Sequence, residues 1–234
     1  KRTREQEEEL VTEFVIALIS ECCEFNYEYP NTKETPEYIS IKADKGWADL
    51  MSEKIEYVAS SDTQPKLIFP GAFNPLHDGH EAMSKLAEEE TGAKTFFEIC
   101  IQNVDKPPLS YHQISKTINQ FNSTQDWVLT KAGKFSDKAK LFPNSTFIIG
   151  ADTLVRIFDE RFYASRSDML AQFDIFNKNN NKFLVFGRKY QDKFIELKDV
   201  QLPDSISSLF KGFGENIFRE DISSSSIRQE NPEE

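Results

Sequence analysis

Apolar positions along the chain follow two different periods. Leu10, Val11, Phe14, Val15, Leu18, Ile19 and Cys22 recur every three or four residues, which predicts an amphipathic helix of roughly five turns. Its opening carries Glu5, Glu7, Glu8 and Glu9, acidic residues that suit the positive end of a helix. The segment EYPNTKETPEY, with two prolines, reads as a loop. Tyr38, Ile39 and Ile41 then predict a short strand, and Trp47, Leu50, Met51, Ile55 and Val58 a second amphipathic helix.

From Lys66 onward the pattern changes to short apolar runs separated by helical spacing. The runs Leu67–Phe69, Thr95–Ile101, Trp127–Leu129, Thr146–Ile149, Phe183–Phe186 and Asn216–Phe218 predict strands. Helical spacing predicts helices over His80–Glu90, Tyr111–Phe121, Thr153–Glu160, Asp168–Asn177 and Ser205–Phe210. Such alternation predicts an α/β fold, a mostly parallel sheet with helices on both faces. The organisation expected is a helical N-terminal extension over residues 1–64 and one α/β domain over 65–234. Phe158–Asn181, which ends in the polar tract NKNNN, is expected to be a surface insertion or lid.

Charge narrows the partners. The 234 residues carry a formal net charge of −11 and a pI near 4.9, which argues against a nucleic-acid backbone or an anionic membrane surface as the main partner. No apolar run approaches the length of a membrane span, and no secretory leader is visible. The cysteines are the adjacent Cys22 and Cys23 and a solitary Cys100, neither a disulfide framework nor a zinc set, so a cytoplasmic location is expected. The chain opens on Lys1 rather than methionine and is expected to be a piece of something longer.

Candidate chemistry concentrates in Lys66–Met83, KLIFPGAFNPLHDGHEAM. A buried-type strand enters a loop bearing Gly71, Ala72, Phe73, Asn74, His77, Gly79 and His80, and good helix formers follow. The start of that helix offers free backbone N–H groups and a positive dipole end, a natural seat for phosphate. Two of the three histidines of the chain stand here around a glycine. A structural histidine pair in a capping loop and a His-x-x-His metal pair are the competing readings, and no cysteine or further histidine lies near the pair in sequence to complete a ligand set. The loop GAFNPLHDGH resembles the signature of the HxGH nucleotidylyltransferases, and within them the nicotinamide mononucleotide adenylyltransferase branch. The opening KRTREQEEELVTEFVIALI is in turn similar to the start of CinA-type amidase domains, over about twenty residues that carry no amidase activity with them.

Further motifs of the first family follow at later strand ends. Phe147–Leu154, FIIGADTL, resembles its (I/V)xGxDxL element. The resemblance sets Gly150 against the nucleotide and gives Asp152 a part in placing it, while helix capping is an equal reading of Asp152. Arg188 follows the Phe183–Phe186 run, where the family often carries an arginine near the adenine or acceptor, and a solvated arginine is an equal reading. Ile222–Arg228, ISSSSIR, matches the ISS(T/S)xIR pattern, which makes Ser223, Ser224, Ser225 and Arg228 a clamp for triphosphate oxygens. Lys106 occupies the place of a phosphate-reaching lysine, with a plain surface lysine as the other reading.

The resemblance implies a Rossmann-like fold and transfer of AMP from ATP to a phosphorylated acceptor, foremost nicotinamide mononucleotide, giving NAD and pyrophosphate. It casts His77, His80, Lys106 and Arg228 as the catalytic set and brings Mg²⁺ with ATP rather than in a dedicated metal site. A slow ATPase or a nucleotide sensor is the alternative, as is adenylyl or cytidylyl transfer to another phosphorylated acceptor. It is motivated by a departure from pattern: the helix at Ser110-Tyr111-His112-Gln113 lacks the family's arginine.

Overall fold

The computed structural model describes residues 2–33, 42–102, 107–159, 161, 163–190 and 193–230. The chain divides into two compact units, Lys1–Ser40 and Ile41–Glu234. In the first, helix α1 (Arg4–Cys22) has a capping box in which the Thr3 hydroxyl accepts the Gln6 N–H at 3.3 Å and the Gln6 side chain accepts the Thr3 N–H at 3.0 Å. Helix α1 forms where the spacing expects it, but Val11, Val15, Leu18 and Ile19 of the expected apolar stripe are exposed and only Ala17 is buried. The strand expected at Tyr38–Ile41 lies outside the described residues.

The second unit begins with α2 (Lys45–Met51) and β1 (Tyr57–Ala59), continues through β2 (Leu67–Pro70), α3 (Asp78–Thr91), β3 (Thr95–Cys100), α4 (Tyr111–Ile118), β4 (Asp126–Thr130), α5 (Phe135–Leu141), β5 (Thr146–Gly150) and α6 (Ala151–Ile157). It ends with α7 (Arg166–Lys178), β6 (Lys182–Phe186), a hairpin of β7 (Arg188–Tyr190) and β8 (Lys193–Ile195), α8 (Asp204–Ser207), β9 (Phe210–Phe213) and α9 (Ser224–Glu230). Seven strands form one sheet in the order β1-β4-β3-β2-β5-β6-β9. All pairs are parallel except β1 with β4. This is a Rossmann-like α/β sheet, and its order reverses between β2 and β5.

Strand residues alternate between two cores. Leu67, Phe69, Phe97, Ile99, Ile148, Leu184 and Phe186 pack on one face with Met83 and Ala87 of α3 and Ile114 of α4. Ile68, Phe96, Phe147, Ile149, Phe183 and Val185 pack on the other with Ala139, Leu154, Met169, Phe173 and Phe176. Period-two alternation with both sets apolar is what a sheet covered on both faces requires. Each fully buried phenylalanine contributes about 1.5–3 kcal/mol over leaving it exposed.

Four sequence expectations need correction. The extension expected over 1–64 is divided, because Leu50 enters the first core and Tyr57–Ala59 add an antiparallel edge strand to the sheet. Val58 is therefore a strand residue rather than part of the second helix, which stops at Met51. The final strand is Phe210–Phe213, paired with β6, while residues 215–217 form a turn. Phe158–Asn181 is no surface lid, since α7 within it buries Met169, Phe173 and Phe176.

Candidate active site

Parallel sheets open a crevice beyond the carboxyl ends of their strands where the order reverses. Here that point lies between the ends of β2 and β5, at Gly71 and Gly150. The loop from Gly71 to His77 joins β2 to α3, and its course is fixed by hydrogen bonds to four remote residues. The Gly71 N–H donates to the Glu98 carbonyl on β3 at 3.0 Å. The Gln120 amide donates to the Phe73 carbonyl at 2.9 Å and accepts the Leu76 N–H at 2.8 Å. Ser224 Oγ, on α9, donates to the Pro75 carbonyl at 2.9 Å, and Arg228 Nη1 donates to the Asn74 carbonyl.

Phe73 is the plug of this loop. Its φ is +45°, and its ring is 1 % exposed, edge-on to Phe69, Phe97 and His80. The ring of Phe73, a residue named as a candidate for nucleotide binding, is thus part of the core, which leaves its backbone to the loop. Gly71 has to lack a Cβ, because one would stand 2.6 Å from the Phe73 ring.

The two histidines stack, with ring centroids 3.7 Å apart and planes at 24°. The His77 backbone N–H donates to His80 Nδ1 at 3.4 Å, so the proton of a neutral His80 ring resides on Nε2. Burial first, then the charges of His77 and Arg188, pushes the His80 pKa down to about 3. Burial and Arg188 lower that of His77 as well, against an opposing pull from Asp78. Both are neutral near pH 7. Both His77 ring nitrogens are buried without a hydrogen-bond partner among the described residues, a cost of about 1–3 kcal/mol that a bound acceptor or donor removes.

Across the switch point, Gly150 leads into α6 and Arg188 follows β6. Arg188 Nε lies 4.0 Å from Asp152 Oδ1, an oxygen that is buried and makes no hydrogen bond. His77, His80, Gly79, Gly150, Arg188 and Ile222 line one cleft. The structure therefore gathers residues from three of the sequence motifs. Ala72 and Asn74 are exposed on the loop. Ser223 Oγ caps α9 by accepting the Ser226 N–H at 3.1 Å, and Ser225 lies in the backbone of the same helix. Lys106 lies outside the described residues. His112 is exposed on the first turn of α4, where the arginine that the resemblance implied is absent.

Two residues that hold the loop escaped the sequence reading. Gln120 carries no local mark, because its partners stand 44 and 47 positions upstream. Glu98 did carry one: an acid inside the apolar run TFFEIC that is in register with Pro70 has to be buried with a partner. Among the described residues no cluster of three or more His, Cys, Asp or Glu could hold a metal ion, and no helix is long and apolar enough to cross a membrane.

A family model described as cytidylyltransferase-like matches residues 68–230. Among solved structures the chain is similar to the Plasmodium falciparum nicotinic acid mononucleotide adenylyltransferase complexed with NaAD, at 18% identity over 71% of this chain and 83% of that one, with a TM-score of 0.38. No curated protein matches it in sequence.

Proposed function

The chain belongs to the cytidylyltransferase-like family of the nucleotidyltransferase superfamily, and from that premise we propose that it transfers AMP from ATP to nicotinamide mononucleotide, releasing pyrophosphate and forming NAD. The observation that carries this reading is the docking of the ISSSSIR segment on the histidine loop. Ser224 and Arg228 reach the carbonyls of Pro75 and Asn74, so the two segments meet beside the start of α3.

In this reading an oxygen of the acceptor phosphate forms a bond to the α-phosphorus, the bond from that phosphorus to the β-phosphate oxygen breaks, and pyrophosphate leaves with the electron pair. No side chain acts as nucleophile. Catalysis rests on alignment and on donors aimed at the charge that develops on the α-phosphate. His80, neutral and with its Nε2–H fixed by the contact to Nδ1, donates to the α-phosphate. His77, with its unpartnered ring nitrogens, supplies a second donor. Gly71, Ala72, Phe73, Asn74 and Gly79 offer backbone to the nucleotide, with Gly150, Asp152 and Arg188 on its other side. The reading assigns Ser223, Ser224, Ser225, Arg228 and Lys106 to the leaving pyrophosphate, where charged donors are strongest. Mg²⁺ enters with ATP as part of the substrate, and the Asp152 carboxylate oxygen that makes no hydrogen bond suits a contact with its hydration shell.

The test is chromatography of products after incubation with Mg²⁺, ATP or CTP, and a panel of phosphorylated acceptors. NAD and pyrophosphate appearing together, with ATP alone, support the reading. ADP and phosphate formed without an acceptor overturn it in favour of an ATPase, and turnover of CTP redirects the nucleotide choice.

A further inference from the structure

Besides the histidines, the cleft is lined by Gly187 and Arg188, at the end of β6, and by Phe218, Glu220 and Ile222 of a later segment. From Gly214 to Ile222 that segment is a turn followed by irregular chain, and it leads directly into α9. The Ile217 and Phe218 N–H groups donate to the Gly214 carbonyl at 2.9 and 3.0 Å. The Phe218 ring then packs edge-on to Phe186, with centroids 5.1 Å apart.

Side chains of the β7–β8 hairpin fasten this segment. Glu196, the residue after β8, accepts the Glu215 N–H through Oε1 at 2.8 Å, and its Oε2 pairs with Lys198 at 2.7 Å. A Cβ on Gly214 would stand 2.8 Å from Glu196 Oε2. On β8 itself, the Phe194 ring carries the Arg219 guanidinium 5.3 Å from its centroid. The same ring leaves only 2.6 Å for a Cβ on Gly187. Ile195, between these two residues, is the strand partner of Arg188. One hairpin thus carries Arg188 on its first strand and both fasteners of residues 214–222 at its second.

The Glu196 side chain is 13 % exposed. Withdrawing a carboxylate from water is costly, and what this one holds is the main chain of an exposed turn, which adds no apolar burial. Its effect is to fix where the turn sits relative to Arg188. We propose that Glu196 is a positioning residue that fastens residues 214–222 to the hairpin carrying Arg188, and so keeps the cleft at the width a nucleoside triphosphate needs. The inference rests on the reading of this cleft as the ATP seat.

The experiment is isothermal titration with Mg²⁺ and ATP of the unaltered protein, Glu196→Ala and Glu196→Gln, alongside steady-state kinetics and hydrogen exchange. Glu196→Ala is expected to weaken ATP binding at least about fivefold, because the freed segment has to be ordered when ATP binds. Glu196→Gln keeps an acceptor for the Glu215 N–H and is expected to stay within about twofold. In the alanine variant the KM for ATP rises in step, while kcat and the acceptor KM stay within about twofold. Exchange at the Ile217 and Phe218 amides quickens at least about tenfold while the amides of β6 keep their protection. Unchanged ATP affinity in Glu196→Ala overturns the proposal, even where exchange quickens, since the contact then serves the fold alone. A loss in Glu196→Gln as large as in Glu196→Ala overturns it too. Should Glu196→Ala not fold, Gly214→Ala decides by the same titration, because its methyl displaces the Glu196 carboxylate at a position whose φ is not positive. If the unaltered protein binds ATP but turns over no acceptor, the transferase reading fails by itself and the titration still decides. If it binds no ATP, both fall.

Discussion

The Ser224 hydroxyl donates to the Pro75 carbonyl at 2.9 Å, joining residues 149 positions apart. This bond seats the start of α9 on the histidine loop, and Arg228 adds a charged contact to Asn74 one turn later. Removing a neutral hydrogen bond of this kind costs about 0.5–1.5 kcal/mol. Ser224→Ala is therefore expected to weaken ATP binding by about two- to tenfold and to leave the sheet intact. Isothermal titration with ATP measures it, and an unchanged affinity would separate α9 from the nucleotide.

Gln120 holds the same loop from the other side through its contacts with Phe73 and Leu76. Gln120→Glu keeps an acceptor for the Leu76 N–H but sets a carboxylate oxygen against the Phe73 carbonyl. The loop has to shift, and the histidines that follow it shift as well. We expect kcat to fall by about ten- to a hundredfold, the penalty for misplacing reacting groups by an ångström, with stability lowered by about 1–2 kcal/mol. Steady-state kinetics alongside urea unfolding distinguishes this outcome from simple loss of fold.

Gly150 stands where a side chain cannot. A Cβ there would lie 2.4 Å from Asp152 Oδ1 and 3.5 Å from Arg188 Cδ. Gly150→Ala turns the Asp152 carboxylate away but leaves the core contacts of Ala151 and Leu154 in place. Nucleotide affinity is expected to drop about tenfold, or about 1.4 kcal/mol, while unfolding free energy changes by less than about 1 kcal/mol. A variant that binds ATP normally would show that Asp152 and Arg188 take no part in holding it.

The sheet was legible because its signal is local. Runs such as LIF and FLVF carry their own strand period, and α3 and α7 carry their own helical one, so β2, β5, β6, α3 and α7 follow from sequence, whereas α5, a helix of seven residues, was not expected. β9 was not legible, because Phe210–Phe213 reads FKGF, with a glycine and a lysine that the neighbouring β6 makes tolerable. Tyr57–Ala59 failed for a similar reason: three residues become a strand only because β4 offers an edge. The same division runs through the site. The histidines, Gly150 and the serines announce themselves by motif. Gln120 acts through contacts 44 and 47 positions away, which no local pattern encodes.

His80 links the chemistry to stability. Its pKa lies near 3 in the folded protein against an ordinary value of 6.5, so between those values the unfolded chain binds a proton that the folded one does not. Stability from this group is complete above pH 6.5 and is lost as pH falls below it. At pH 5 the loss is on the order of 1–2 kcal/mol after allowance for partial solvent access. His77, shifted in the same direction, adds to it. Urea unfolding of the unaltered protein and of His80→Asn at pH 7.5 and pH 5 is expected to show a shallower pH dependence for the variant by that amount. The same variant is expected to lose transfer by at least about a hundredfold, as for removal of one donor to a developing negative charge. Parallel pH curves would mean that His80 is protonated in the fold at pH 5, and the α-phosphate would then meet a cation rather than a neutral Nε2–H.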